Sequence, residues 1–432
     1  MRPEPEMVWD VPAGLIACRA NGQQRALAAI SPRALWLRAP EPVPTDARLE
    51  LSFYDPKSGN YNSLPVCGAT AGPTRRLEGA VLTRFSFEDP ACAAAVRRAL
   101  NDYARCVELR GGWGATAYGE ALTGYPVEED ERFFDHLDDQ RADWFRSLSP
   151  LPDPGPRELA VALDCPELYS LYLSCPLPDF WNAYADLRRV PRAFFPNRPP
   201  DRLYLGNPHC RFLFPDAKTL RALADKAYRE RRALSLVTAE LRGGDEAHAD
   251  ALLRFAAELG AECVANDWGM LERARRLSPR PVLSLGVRLN RRRKDPRLAW
   301  KAGAAEHIAL LRQNSLNDPS WRAWLRDFGV ARYEYERCGY DCAPPGGAPC
   351  SLHLPFYQTN TALWCPLKAL CERGDRGAQA GARDCPRWCE SNALLYPAHL
   401  KLAGRWNSLI ALDDRPWDEA AMAPFDRWVL NF

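Results

Sequence analysis

The chain has little of what would place it quickly. Its 432 residues include only 4 methionines and 6 histidines, and no Cys-x-x-Cys, His-Glu-x-x-His or Gly-x-Ser-x-Gly occurs. The first absence removes the paired knuckles of most structural zinc sites. The other two remove a zinc-protease helix and a serine-nucleophile elbow, so a peptidase reading has no activated nucleophile to rest on. Net charge is nearly absent too. The 57 basic against 55 acidic residues leave +2, which gives no global electrostatic case for nucleic acid. No apolar run approaches the ~18 residues that span a membrane. The opening MRPEPEMVWDVPAG lacks the charged region and apolar core of a secretion signal. A cytoplasmic protein with no membrane partner is expected.

What is present describes an ordered protein of two or three domains: 47% apolar residues, 26% charged and 14 tryptophans. Arg far outnumbers Lys, as in GC-rich bacterial genomes. The 15 cysteines are an odd number, and without a secretion signal they imply reduced thiols. Seven of them fall between residues 338 and 389, and the last four read Cys365-x5-Cys371-x13-Cys385-x3-Cys389. Spacings this short let loops bring sulfurs to one point, and thiolates suit soft metals. The plain alternative is a set of buried cysteines acting as small hydrophobes. Between metals, the irregular spacing suits an iron–sulfur cluster held by loops better than zinc, which stays as the alternative. Cys338, Cys342 and Cys350 are either further ligands or incidental loop thiols.

Residues 1–110 read as strands followed by one helix. Leu27–Ile30 and Leu35–Leu37 flank a Ser31-Pro32-Arg33 turn, Arg48–Tyr54 alternates at strand period, and Ala80–Phe87 is another strand. Asp89-Pro90 opens a helix over 91–107 with Ala95, Val96 and Leu100 on one face. A six-strand barrel closed by that helix fits the pattern. The stretch Arg25 to Arg38, the strand ending at Phe53 and Phe85-Ser86-Phe87 before the helix resemble a PilZ domain. That family binds cyclic di-GMP through RxxxR and (D/N)xSxxG motifs. Here only Ser31 of the second motif is kept, and Arg19 and Arg25 lie six apart. The resemblance therefore implies the fold, with cyclic di-GMP an unlikely ligand.

Residues 111–157 form a connector, with a helix expected over 128–148 and prolines at 150, 152, 154 and 156. From 158 onward, strands and helices alternate. Strands are expected at Leu159–Leu163, Arg202–Leu205, Ala233–Thr238, Cys263–Asn266, Pro281–Leu289, Arg332–Glu336 and Ser351–Phe356. Helices are expected at 216–231, 245–259, 269–276 and 318–328. The fold class is therefore α/β, a TIM-like (β/α) barrel, complete or incomplete, over 158–360. Residues 361–432 read as a Cys-rich C-terminal extension.

Working residues of such barrels sit at the C-terminal ends of strands. Those ends here offer Asp164, His209, Asn266 and Asp267, along with Glu334-x-Glu336 and His353-x-Pro355. The first four are the candidate catalytic residues, with Asp267 first choice for acid/base work, although Asp164 and Asp267 could equally cap the helices that follow. Arg291-Arg292-Arg293-Lys294 could hold a phosphate or RNA backbone, or be a solvated helix start. Trp268, Trp364 and Trp388 could stack on an aromatic substrate or pack in the core.

The succession Leu203 to Cys210, Val264 to Met270, Arg288 to Arg292 and Ser351 to Tyr357, ahead of the cysteines, resembles the collagenase-like peptidase family U-32 over residues 158–412. The resemblance implies a barrel and a [4Fe-4S] cluster on Cys365, Cys371, Cys385 and Cys389. It implies either peptidase activity or, in the iron–sulfur branch, oxygen-independent hydroxylation of a small aromatic compound or an RNA base, with an electron-donor protein as partner. The other class of reading is a regulatory scaffold, with a PilZ-like module and a metal staple.

Overall fold

Two units, Met1–Pro126 and Val127–Phe432, make up the chain. The computed structural model describes residues 7–11, 14–55, 60–77, 79–109, 142–146, 148–242, 244–294, 313–374, 378–381, 384–390, 392–395 and 401–432. Most of the helix expected over 128–148 lies outside them.

In the first unit the strands are β1 (Val8–Trp9), β2 (Ile16–Ala20), β3 (Gln23–Ser31), β4 (Ala34–Ala39), β5 (Leu49–Tyr54), β6 (Tyr61–Pro65), β7 (Thr70–Leu77) and β8 (Ala80–Ser86), followed by helix α1 (Pro90–Leu109). They form one antiparallel sheet in the order β6-β5-β2-β3-β4-β8-β7, with β1 on β3. The expected six-strand barrel is thus corrected to an eight-stranded sheet. Among the described residues no ladder joins its edge strands β6 and β7. The edges are mostly exposed and polar, Arg75 and Arg76 included, so they offer no apolar face to close upon. Alternate residues Ile16, Cys18, Leu35, Leu37, Leu51 and Phe85 build the core with Cys92 and Val96 of α1. Asp89 starts that helix, its Oδ1 accepting from the N–H of Ala91 and Cys92 at 2.9 and 3.1 Å. Ser31 Oγ accepts from the N–H of Arg33 and Ala34, closing the β3–β4 turn.

The second unit holds seven parallel strands close to their expected places: β9 (Glu158–Leu163), β10 (Arg202–Leu205), β11 (Ala233–Val237), β12 (Glu262–Ala265), β13 (Val282–Leu285), β14 (Val330–Glu336) and β15 (Cys350–Leu354). Helices Ala217–Arg229, Glu246–Leu259, Trp268–Arg275 and Pro319–Asp327 alternate with them. Next come β16 (Phe356–Thr361), β17 (Leu394–Leu395), β18 (Leu402–Arg405) and β19 (Ser408–Leu412), an antiparallel sheet in the order β16-β19-β18-β17. Finally β20 (Arg427–Leu430) pairs in parallel with both β15 and β9 and closes an eight-stranded barrel. The barrel is therefore complete. The Cys-rich segment is not a C-terminal extension but an insertion between the seventh and eighth barrel strands. At the described end of the connector, Trp144, Phe145 and Leu148 are buried in the barrel unit's main core.

The barrel interior departs from the usual layers of branched apolar side chains. Inward positions alternate along the strands, and many carry charge. Arg427 on β20, 2% exposed at its side chain, donates to Glu158 Oε2 at 2.6 Å. It also reaches across the barrel to both oxygens of Glu262 on β12, at 2.6 and 2.9 Å. A third contact, 2.9 Å, goes to the hydroxyl of Tyr204. Arg202 pairs with Glu158, and Arg332 with Asp426. Above this ionic floor Ala160, Tyr204, Val237, Val264 and Val429 form a small apolar layer. Opposite charges satisfy one another here, so removing one partner strands the rest in a low dielectric. Arg427→Met is expected to lower the unfolding free energy by about 3–5 kcal/mol, seen as a lower urea midpoint with an unchanged slope.

Candidate functional site

At the C-terminal ends of the barrel strands a cavity opens, floored by Ala162, Tyr204, Val237 and Val264 and roofed by Phe356, Tyr357 and Ile410 from the insertion. The strands deliver its polar groups. Alternation along β14 turns Arg332, Glu334 and Glu336 to the same face, and β15 places His353 beside them. Glu334 is fully buried beneath the cavity. It accepts from Ser284 Oγ at 2.6 Å and from Tyr204 and Ser351, and bonds His353 Nε2 at 2.9 Å. Burial alone would push its carboxyl up. The His353 hydrogen bond and charge, with Arg427 and Ser284, outweigh burial and hold it down at about 2. Glu334 is therefore a carboxylate that orients His353, whose ring lines the cavity. Tyr204 meets that ring edge-on at 5.6 Å between centroids. Glu336 lines the cavity as well, ion-paired with Lys294 and accepting from the N–H of Gln358 at 2.8 Å.

Three of the expected catalytic residues meet in this cavity: Asp164, His209 and Asn266. Asp164 is paired at 2.7 Å with the buried Arg188. Asn266 donates to Thr238 O at 3.0 Å and accepts from the N–H of Arg288 at 3.2 Å, so its amide serves the loop as well as the cavity. A Cβ on Gly286 would lie 2.2 Å from Asn266 Oδ1, which is why that position holds glycine. Burial keeps His209 well below its usual pKa, with Arg288, Lys294 and His353 adding to the effect, so the imidazole is neutral. Its ring stacks on Trp406 at 5.8 Å and 23°. Asp267 is not in the cavity wall. Its Oδ1 accepts from the N–H of Gly269 at 2.7 Å and caps helix Trp268–Arg275.

The basic run is divided between surface and interior. Its Arg291 and Arg293 are exposed, while Lys294 turns in to Glu336, and Arg292 is held by Glu336 O at 2.7 Å and Cys338 Sγ at 2.9 Å. Trp268 packs with Trp321 and Trp324 away from the site. Glu334 and His353 stand among the strand-end residues of the sequence but outside the candidate catalytic set, and Tyr204 carries no sequence signal of its own. The available signal was the period-2 repeat of ionisable residues along β14.

A second cavity adjoins the first, and His209 and Trp406 line both. Its wall carries Cys365, Cys385 and Cys389 from the insertion and Cys210 from the loop after β10. Cys365 precedes helix Pro366–Arg373, donating to Trp406 O at 3.2 Å and accepting from the N–H of Lys368 at 3.4 Å. Cys385 accepts from the N–H of Arg387 at 3.4 Å. Cys371, the fourth of the expected ligands, lies on the helix and outside the cavity wall. Burial and neighbouring thiols push Cys210 up to about 11 and raise Cys389 as well. Ionising them together needs a cation. Among the described residues no three His, Cys, Asp or Glu side chains are already drawn together as ligands of a single ion. Cys338, Cys342 and Cys350 lie elsewhere, the first against Arg292 and the last donating to Ala348 O at 3.4 Å.

No protein-family model matches the chain, and no curated protein matches it. A solved structure, that of the U32 peptidase Mk0906, is similar over 66% of this chain and 97% of that one, with 10% identity and a TM-score of 0.28. A likeness at that score carries no argument about the site.

Two outcomes test this geometry. Glu334 is held below its ordinary value, so the stability it contributes is present above pH ~4.5 and lost as pH falls toward about 2. Acid unfolding of Glu334→Gln is expected to lose part of that limb when followed by circular dichroism. Asp267→Ala should lower stability by about 1 kcal/mol and Asp267→Asn by less, because asparagine keeps the capping acceptor.

Proposed function

We propose that this protein is an enzyme whose barrel mouth binds one planar aromatic ring, of a small compound or an RNA base, beside an iron–sulfur centre held by the thiols of the insertion. The observation that carries this reading is the shared wall. The stacked His209 and Trp406 line both the thiol cavity and the barrel-mouth cavity, so the two are neighbours with no open solvent path required between them. When bound, such a centre supplies one-electron chemistry of the kind used in oxygen-independent hydroxylation.

The chain's own residues have separate tasks. His353, oriented through Nε2 by the Glu334 carboxylate, holds or moves a proton at its Nδ1. The Glu336–Lys294 pair and Asn266 meet polar substituents at the ring edge. Phe356 and Tyr357 cover the ring and exclude water. Arg211, Arg242 and Lys368 line the thiol cavity and offset the charge of the thiolates.

Protein purified without oxygen is expected to show a broad absorption near ~400 nm with about four irons and matching acid-labile sulfide per chain. His353→Gln should keep that spectrum. One tightly held zinc without colour would instead make the thiols a structural staple and remove the redox reading.

A further inference from the structure

The thiol cavity includes one cysteine that the 361–432 segment does not supply. Cys210 ends the sequence Gly206-Asn207-Pro208-His209-Cys210 behind β10, and its position there is held from several sides. Asn207 Oδ1 accepts from the N–H of both His209 and Cys210, at 2.8 and 3.0 Å. Gly206 adopts φ +112°, and a Cβ on it would lie 2.3 Å from Val237 O, so the turn that aims Cys210 requires glycine.

The insertion meets the segments after β10 and β11 at points around the thiols. Arg242 lies 4.5 Å over the ring of Trp364 and donates to Leu363 O. Thr361 Oγ1 is 3.4 Å from His209 Nδ1. Cys371 shares none of the cavity wall.

We propose that Cys210 is a ligand of the metal centre, forming with Cys365, Cys385 and Cys389 a four-thiolate set with one ligand from the barrel and three from the insertion. The assignment rests on the iron–sulfur reading of this cavity. Each thiol loses its proton when it binds, and no oxidant or reductant is needed for that step. A centre held in this way cross-links the insertion to β10, so the loaded protein is harder to unfold than the stripped one.

The test compares Cys210→Ser, Cys371→Ser and Cys263→Ser, the last a buried barrel cysteine away from the cavity, all purified without oxygen. Iron and sulfide per chain, the absorption spectrum and electron paramagnetic resonance of the reduced protein are the readouts. Cys210→Ser is expected to lose most of its iron or to shift the resonance, while the other two keep wild-type iron and spectra. Cys210→Ser with full iron and an unchanged spectrum overturns the assignment, whatever Cys371→Ser does. Should Cys210→Ser not fold, wild-type protein answers the same question by alkylation. Cys210 should be protected in the loaded form to the same extent as Cys365 and labelled once the metal is stripped. Equal labelling of Cys210 in both forms overturns the proposal. Wild-type protein with neither iron nor zinc overturns the underlying reading, and the assignment with it. If zinc is present, its loss from Cys210→Ser upholds the ligand while sinking the iron.

Discussion

Everything at the barrel mouth depends on a guanidinium buried at the other end. Arg427 is the first residue of the strand that closes the barrel, and it is paired with Glu158 on one neighbour of that strand and with Glu262 across the interior. A one-residue slip of β20 would turn Arg427 out of the barrel, leaving Glu158 with Arg202 alone and Glu262 with only the longer contacts to Arg202 and Arg332, at 3.5 and 3.7 Å. Buried ion pairs contribute little net stability over an apolar filling but are costly to break. The lattice therefore acts on register, and register decides whether His353, Glu334 and Glu336 face one cavity.

The same lattice explains what sequence reading found and missed. Seven barrel strands were legible as short apolar runs flanked by helices, because their outward residues pack on helices and are apolar. The eighth was not, since Arg427-Trp428-Val429-Leu430 follows the long cysteine-bearing insertion, where the regular alternation of strand and helix gives no cue. The edge strands β6 and β7 were invisible for a related reason: exposed on most positions, they carry no apolar alternation. At the mouth, Asp164, His209 and Asn266 were legible from position alone. Asp267 follows Asn266 in the same loop but is used as a helix cap. Both side chains bond backbone groups, but Asn266 still lines the cavity and Asp267 does not.

The thiols show the limit differently. Crowding of cysteines in one window pointed to Cys365, Cys385 and Cys389, all of which line one cavity, and to Cys371, which does not. Cys210 lies far upstream and stands alone in its window, so spacing gives no signal for it. Its place in the wall comes from the parallel barrel, which sets the loop after β10 under the insertion.

The position of that insertion bears on how the chain reaches its final form. β9 and β20 are adjacent in space yet lie at opposite ends of the second unit's sequence, with the cysteines emerging before β20. Extra length in such a loop adds little to closure entropy, which grows only logarithmically. Pairing so remote in sequence is nonetheless slow to form. During synthesis, then, the thiols are complete while the barrel still has an open seam, and the interval before β20 docks is when they are most accessible to whatever loads them.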